Sequence, residues 1–263
     1  MGLAAFAAAA VLAATPVSFV QAHSQGGAFS EPGGTADPSL TSWAVLGLRA
    51  AGADAPESLA YLQAQEPTLA ATTDVALVSL AEKALGASPD ALLARLQTDV
   101  QANGQIGPTL NSTYWSVLAL GKSPPKTTKF ILASQTKAGG FPWYPGAAAD
   151  SNDTAAALEA LQVAGVHGLR ITRAVKFLLS FETKSGGFEL THGRGPDAQS
   201  TAWAIQGLIA AGAKPPRAAF QYLATLKRPD GSYRYSAKYV TTPVWVTSQV
   251  LAALAKKPFP LVP

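Results

Sequence analysis

Cysteine is absent from the 263 residues, so the chain cannot form disulfides, cysteine zinc sites or thiol nucleophiles. Charged residues are also scarce: they make up 14% of the chain, against about 25% in an ordinary globular protein. The basic residues are scattered, with mild clusters at 122–137 and 227–257, and no Lys/Arg run is interleaved with aromatics. This pattern argues against nucleic-acid binding, and the net charge of +4 supports only weak attraction to an anionic envelope.

No apolar run is long enough to span a membrane. Residues 3–14 (LAAFAAAAVLAA) form a short apolar run that ends in small residues, which is typical of a secretory signal. We therefore predict a signal peptide over residues 1–14 and a secreted or extracytoplasmic protein, although Met1 and Gly2 lack the usual positive charge. The alternative is a buried N-terminal helix. Cleavage after Ala14 or after Ala22 fits the small-residue rule.

The apolar residues follow a pattern that recurs six times, counted from a marker threonine. The residue three positions after the marker is usually small, and the residue four positions after it is aliphatic. A small residue follows at six and a leucine at seven. Offsets of three, four and seven lie on one helical face, so we predict six closely packed inner helices. The markers are Thr41, Thr73, Thr113, Thr154, Thr201 and Thr247.

Successive markers are 32 to 47 residues apart, which leaves room for a second helix and two turns in each repeat. Proline stands just before or inside the first turn of four of these helices, where a missing N–H costs little. Their apolar faces are narrow and carry Lys, Arg and Gln at the sides, so we predict outer helices. Their cores are 59–65, 92–97, 129–135, 176–182 and 220–227.

Six inner helices and five complete outer helices leave the array one outer helix short. The residues after Leu254 are few and contain three prolines, so they cannot form it. Residues 17–29 (VSFVQAHSQGGAF), however, align with residues 128–141 (TKFILASQTKAGGF). We therefore predict that residues near 16–24 close the ring beside the C-terminus, which favours signal cleavage after Ala14.

The turn at residues 135–141 (QTKAGGF) resembles the repeated turn of squalene and terpenoid cyclases and of protein prenyltransferase β-subunits. Residues 182–188 follow the same pattern with Glu in place of Gln. The resemblance covers nearly all of the chain from about Pro16. It implies an all-α fold over residues 15–263: an α/α toroid (α6/α6 barrel) of six helical-hairpin repeats, with the N-terminal segment closing the ring.

Residues 150–155 (DSNDTA) are similar to the D-x-D-D-T-A motif of squalene–hopene-type cyclases, in which the middle Asp protonates the substrate. Asn152 stands at that position here, and an amide has no proton acidic enough for this step. Asp150 and Asp153 flank it at a predicted helix N-terminus, where the dipole favours the carboxylate form. We therefore expect lowered pKa values and a helix cap, as at the aspartates in the same place in two other copies.

The resemblance to prenyltransferases implies zinc only where Asp, Cys and His ligands are present. No cysteine exists, and His23, His167 and His192 are isolated from one another. We therefore predict no metal and no cofactor.

Trp43, Trp115 and Trp203 lie two residues after the marker in alternate copies. They indicate either an aromatic-lined pocket for an apolar ligand or core packing between inner helices. Trp143 and Tyr144, between two prolines, predict an exposed loop that forms a contact surface.

From these features we predict a non-catalytic binding module that holds an apolar, isoprenoid-like molecule or an envelope partner at the N-terminal rim of the inner helices. One alternative is a diverged terpenoid cyclase that uses Asp150 or Asp153. Another is a structural or adaptor toroid with a filled barrel. The candidate ligand-binding residues are Asn152, Asp153, Tyr114, Trp115, Trp143, Tyr144, Trp203 and Trp245.

Overall fold

A computed structural model describes residues 14–261, so the predicted signal peptide at residues 1–14 lies almost entirely outside the described residues. Helices make up almost all of the regular secondary structure of the described chain. Its inner helices are α2 (Pro38–Ala50), α4 (Thr72–Ala84), α6 (Leu110–Leu120), α8 (Ser151–Val163), α10 (Ala198–Ala210) and α12 (Pro243–Ala255). The outer helices are α1 (Pro16–Gln21), α3 (Ser58–Gln65), α5 (Asp90–Thr98), α7 (Pro125–Ala133), α9 (Leu169–Leu179) and α11 (Arg217–Leu226).

Short extended segments and one tight turn connect these helices. Strand β1 (Ser24–Gln25) pairs antiparallel with β2 (Ala28–Phe29), and β3 (Phe141–Pro142) pairs antiparallel with β4 (Ala149–Asp150). A 3₁₀ turn follows α3 at Glu66–Thr68. None of the helices between residues 14 and 261 is both long enough and apolar enough to cross a bilayer.

The inner helices form a closed ring. Each packs against the next in chain order, and α12 packs back against α2. Helix α1 packs against both α12 and α2, and its Val20 is completely buried. The predicted α/α toroid is therefore confirmed, as is the prediction that the N-terminal segment closes the ring.

The marker threonines tie each inner helix to the turn that precedes it. The Thr41 hydroxyl accepts the backbone N–H of Phe29 at 3.0 Å, and Thr154 accepts that of Phe141 at 2.9 Å. The same contact recurs at the three markers Thr113, Thr201 and Thr247. Threonine recurs because its hydroxyl accepts a hydrogen bond from the buried N–H of the residue that follows the turn.

The paired-glycine turn docks on the following outer helix. Gln135 Nε2 donates to the carbonyls of Gly139 at 2.8 Å and Arg170 at 2.9 Å, which joins the end of α7 to the start of α9. A Cβ on Gly140 would overlap the ring of Phe177. The second glycine is thus required by close approach, whereas the positive φ of the turn lies at Gly139.

The second repeat departs from the predicted register. In α2, α6, α8 and α10 the marker is the fourth helical residue, whereas the fourth residue of α4 is Val75. The choice of Thr73 is therefore wrong by two positions. This copy lacks the paired-glycine turn whose N–H a marker threonine would bind.

In the corrected register Glu82 takes the place of the recurring leucine. Desolvation raises the pKa of Glu82 to about 7, and the charge of Glu66 adds to this effect.

Candidate functional site

The polar start of α8 combines a helix cap with a buried carboxyl group. Asp150 accepts the backbone N–H of Asp153 at 2.8 Å and so caps the helix, as predicted. Asp153 is 4% exposed and accepts a hydrogen bond from Asn111 Nδ2 at 2.8 Å. The half-buried Asn152 accepts a hydrogen bond from the Ser151 hydroxyl at 3.1 Å. The polar groups of this segment are therefore engaged within the protein.

Burial controls the ionisation of this pair. Desolvation raises the pKa of Asp153 to about 8, and the neighbouring Asp150 charge adds to the effect. Desolvation also raises the pKa of Asp150, against the hydrogen bonds that its carboxylate accepts. The expected lowering of both pKa values is wrong, because a helix dipole contributes at most about 2 kcal/mol, whereas withdrawing a carboxylate from water costs several. Burial thus favours the protonated form of Asp153.

Asp153 faces the contact between α6 and α8. Its partner Asn111 lies in the first turn of α6. Tyr114, three residues further along the same helix, is completely buried. Desolvation raises the pKa of the Tyr114 phenol well above its ordinary value, with further effects from the charges of Asp153 and Asp150. Tyr114 donates its hydroxyl to the carbonyl of Pro142 at 3.2 Å. The side chains of Asp153 and Tyr114 are therefore enclosed between helices and the β3 strand.

The barrel axis is filled by tryptophans from three repeats. Trp43, Trp115 and Trp203 meet edge to face, with ring centroids 5.2 to 5.7 Å apart. Each is at most 7% exposed. Phe259, from the segment after α12, adds a fourth ring 6.0 Å from Trp43 and 6.3 Å from Trp115. Of the two interpretations of the tryptophans, this geometry supports core packing.

Three buried polar side chains lie on the inner helices close to these rings. Glu159, Gln206 and Gln249, from α8, α10 and α12, are each at most 1% exposed. Glu159 accepts the backbone N–H of Phe259 at 3.1 Å, and desolvation raises its pKa to about 8. The amide groups of Gln206 and Gln249 have no hydrogen-bond partner within residues 14–261. The segment after α12 is therefore held by one polar contact and by the packing of Phe259.

A pocket of about 320 Å³ opens at the N-terminal rim of the inner helices. Trp43, Leu40, Leu77 and Trp245 form its apolar surface, and the polar residues Glu31, Thr35, Asp37, Ser39 and Thr242 surround them. We call this the rim pocket. Trp43 belongs both to this pocket and to the axial cluster, so the filled barrel begins directly beneath it. Of the predicted ligand-binding residues only Trp245 lies here.

Glu31 shapes one side of the rim pocket. Its carboxylate oxygens accept the backbone N–H groups of Val244 and Trp245, both at 2.9 Å. These bonds cap α12, whose preceding residue Thr242 makes no side-chain cap. Sequence reasoning missed Glu31, because the contact joins residues 214 positions apart and no local signal marks it.

The other predicted aromatic residues are dispersed. Trp143 and Tyr144 are 49% and 55% exposed on the loop between β3 and β4, in agreement with the predicted exposed loop. Trp115 and Trp203 lie on the barrel axis. The structure therefore divides the candidate set among an enclosed helix contact, the axis, a surface loop and the rim pocket.

Two further openings were not foreseen from the sequence. A rim cleft of about 640 Å³ is lined by tyrosines 222, 235 and 239 together with Arg194 and Asp197. A pocket of about 860 Å³ lies at the opposite mouth, where the ends of the inner helices meet residues 256–261. Between residues 14 and 261, no three His, Asp or Glu side chains come together as metal ligands.

Comparison with known proteins shows which fold these features belong to. A model of the prenyltransferase α-α toroid domain matches residues 113–174 and 169–242. No curated protein sequence matches this chain.

Solved structures resemble almost the whole chain. The type II terpene cyclase MstE from Scytonema, without ligand, superposes with a TM-score of 0.75 at 17% identity, covering 92% of this chain and 95% of its own. The Candida albicans protein geranylgeranyltransferase-I complexed with GGPP gives 0.63 at 13% identity, with 82% and 83% covered. The ent-copalyl diphosphate synthase from Streptomyces platensis gives 0.59 at 20% identity, with 83% and 50% covered. At these identities the likeness establishes the shared toroid fold.

Proposed function

We propose that this chain, which carries a prenyltransferase α-α toroid domain and the fold of type II terpene cyclases, is a non-catalytic module that binds an apolar, isoprenoid-like group in the rim pocket. One observation carries the proposal: the barrel axis is occupied by Trp43, Trp115, Trp203 and Phe259. A polyene cannot lie along an axis that these four rings fill. Ligand binding is therefore assigned to the apolar surface above them.

The rim pocket suits the end of such a molecule. Its volume of about 320 Å³ lies at the lower end of small-molecule sites. Trp43, Leu40 and Leu77 are each at most 8% exposed, so an apolar group placed there meets an already ordered surface. The polar residues around it offer hydrogen bonds to a hydroxyl. The MstE structure with geranylgeranyl dihydroxybenzoate and the transferase structure with GGPP are of proteins of this fold that bind isoprenoid compounds, which supports the ligand class.

The first experiment is mass spectrometry of lipids that co-purify with the protein, followed by calorimetric titration with geranylgeraniol. Replacing exposed Thr35 at the pocket edge by Trp should block the pocket without touching the core. We expect Thr35→Trp to weaken binding by about tenfold or more, or about 1.4 kcal/mol.

The matched control is Tyr144→Trp, which places the same large ring on an exposed loop away from the rim pocket. It should bind geranylgeraniol like the unaltered protein. Equal loss in both variants, or no binding by the unaltered protein and no bound lipid, would contradict the proposal. The absence of binding would instead favour the structural or adaptor toroid with a filled barrel.

A diverged terpenoid cyclase is the second candidate, and one observation favours it. Burial raises the pKa of Asp153 to about 8, which favours the protonated form that a general acid needs. Against it, Asp153 faces Asn111 in a helix contact instead of the axis. Incubation with geranylgeranyl diphosphate decides between the two: a cyclised product that is lost in Asp153→Asn would establish the cyclase and overturn the non-catalytic proposal.

Export from the cytoplasm is also part of the proposal. Its support is the apolar run at residues 3–14, together with the contact of the Gly231 turn against Thr15, which gives residues from Thr15 onward a place in the ring. N-terminal sequencing of the protein from culture medium and from cells tests it. Export predicts a mature chain that begins at Thr15, and an uncleaved chain confined to cells would contradict it.

A further inference from the structure

Charge is unevenly distributed along the ring. The first 100 residues carry nine acidic and three basic side chains, whereas the remaining residues carry seven acidic and seventeen basic ones. Because successive repeats occupy successive positions in the ring, this difference along the chain becomes a difference between two sides of the molecule. The net charge of +4 conceals it.

The positive side is a continuous outer surface formed by α7, α9 and α11. Arg170 on α9 donates to the carbonyl of Leu132 at the end of α7, and the turn at Gly186 packs on Ala218 of α11. We call this surface the basic wall. Besides Arg170, six exposed cationic side chains stand on it: Lys126, Lys129, Lys137, Lys176, Lys184 and Arg217. Within residues 14–261 none of these six lies within 4 Å of a carboxylate.

Carboxylates on the same half of the chain do little to offset the basic wall. Asp153, Glu159 and Asp197 are each at most 4% exposed. Glu189 accepts the N–H of Gly195 and pairs with His192 at 3.6 Å, and Asp230 pairs with Arg228 at 3.6 Å. Asp150 caps α8, which leaves the half-buried Glu182 beside Lys184. The field of the exposed cations therefore reaches solvent largely uncancelled.

Two leucines stand among these cations. Leu169 at the start of α9 is 75% exposed, and Leu179 at its end is 38% exposed. The exposed aromatics Trp143, Tyr144 and Tyr239 lie on connecting loops instead, so they are not interleaved with these cations as in a surface that stacks nucleotide bases. A surface helix that combines exposed leucines with lysines and arginines is typical of contact with an anionic bilayer.

We propose that the basic wall is a docking surface for anionic lipid headgroups, with Leu169 and Leu179 entering the interfacial layer. This inference is independent of the rim pocket. Lysines and arginines near an anionic bilayer each contribute roughly fivefold to partitioning. The acidic side, which includes exposed Glu57, Asp90 and Asp99, is repelled by the same surface, so the protein binds in one orientation.

The test is co-sedimentation with vesicles of phosphatidylglycerol and phosphatidylcholine, compared with vesicles of phosphatidylcholine alone, at low and high salt. The variant Lys129→Gln/Lys176→Gln/Lys184→Gln removes three charges from the basic wall. We expect its partitioning onto the mixed vesicles to fall roughly a hundredfold. High salt should weaken binding of the unaltered protein, because it screens exposed charges.

The matched control, Lys238→Gln/Lys256→Gln/Lys257→Gln, removes three exposed lysines that lie off the basic wall. It should partition like the unaltered protein, and Leu169→Ser should weaken binding even at low salt. Equal loss in the two triple variants would overturn the proposal, since net charge alone would then explain attraction. It would also be overturned if mixed and neutral vesicles bound equally. A third outcome would also overturn the proposal: the protein does not bind vesicles but self-associates at low salt, and the wall variant abolishes the self-association. The basic wall would then bind the acidic side of a second copy of the chain.

Discussion

Single carboxyl groups in this protein are governed by their surroundings more than by their position on a helix. Asp150 and Asp197 occupy the same capping position at the starts of α8 and α10, and desolvation raises the pKa of both. Glu159 is completely buried and is stabilised mainly by the N–H of Phe259. These groups resist ionisation, so their contribution to the stability of the folded state is lost as pH rises.

Replacing Glu159 with Gln should make the free energy of unfolding less dependent on pH. The folded pKa of about 8 lies above the ordinary glutamate value of 4.5, so the stability that Glu159 contributes is complete at acid pH. That stability is lost as pH rises from about 4.5 to about 8. Glutamine does not titrate and still offers an acceptor to Phe259. The free energy of unfolding of Glu159→Gln should exceed that of the unaltered protein increasingly with pH, by up to about 1.4 kcal/mol per pH unit.

Urea unfolding at a series of pH values measures this difference. Glu189→Gln is a control of opposite sign. Despite slight desolvation, hydrogen bonds from the N–H groups of Gly193 and Gly195 lower the pKa of Glu189, so its contribution is lost as pH falls. A pH-independent difference for Glu159→Gln would mean that Glu159 is ionised in the folded protein.

At the scale of helices, small residues set how closely the inner ring packs. A Cβ on Gly47 of α2 would overlap the backbone carbonyl of Ser248 on α12. A Cβ on Gly207 of α10 would lie 2.7 Å from the Cα of Ala155 on α8. The recurring small position is therefore where the backbones of neighbouring helices meet.

The variant Gly47→Ala distinguishes helix propensity from packing, because the two effects predict opposite changes in the free energy of unfolding. Helix propensity alone predicts a gain of up to about 1 kcal/mol. Overpacking against Ser248 predicts a loss of about 1–3 kcal/mol, and we expect the loss. Chemical unfolding checks it, with Ala94→Gly on the exposed face in the middle of α5 measuring propensity in the same protein. A stabilised Gly47→Ala would show that α2 and α12 can move apart without cost.

Helix α1 has only six residues, yet it completes the ring. A chain that begins at Thr15 should unfold at the temperature of the full chain. A chain that begins at His23 loses α1 and with it the buried Val20, which alone contributes at least about 1.5 kcal/mol. Thermal unfolding of the two truncations distinguishes them. Equal midpoints would mean that the ring does not depend on α1.

At the scale of the whole molecule, the axis is built from residues that are far apart in the chain. Trp43, Trp115 and Trp203 come from three alternate repeats and meet only because the ring closes. Phe259 joins them from beyond the last helix. This packing makes the barrel a core.

Trp115→Ala tests whether the barrel is a core. Removing a fully packed indole should destabilise the protein by about 3–5 kcal/mol, and the space it leaves should admit a small apolar probe such as benzene. Trp143→Ala, at a 49% exposed position, should change stability by no more than about 0.5 kcal/mol. Calorimetric unfolding measures both. Similar small effects in the two variants would indicate that the axis is open in solution.

The sequence by itself determined the toroid, its six hairpins and the closing role of α1. These follow from features repeated within each copy: the leucine and small-residue spacing, the marker threonine and the glycine turn. Each repeat buries its apolar face only against its neighbours, so the local pattern dictates the array. The register of α4 was the exception, because that copy lacks the turn that would identify its marker.

Only the tertiary structure decided what the interior does. Whether three tryptophans line a pocket or fill it depends on the distance between repeats that are many residues apart. The pKa of Asp153 depends on burial between α6 and α8, which outweighs the helix terminus visible in the sequence. The rim pocket joins Trp43, Leu77 and Trp245 from three different helices. Residues 31–43 supply six of its nine lining residues, but Leu77, Thr242 and Trp245 reach it only because neighbouring repeats pack together and the ring closes.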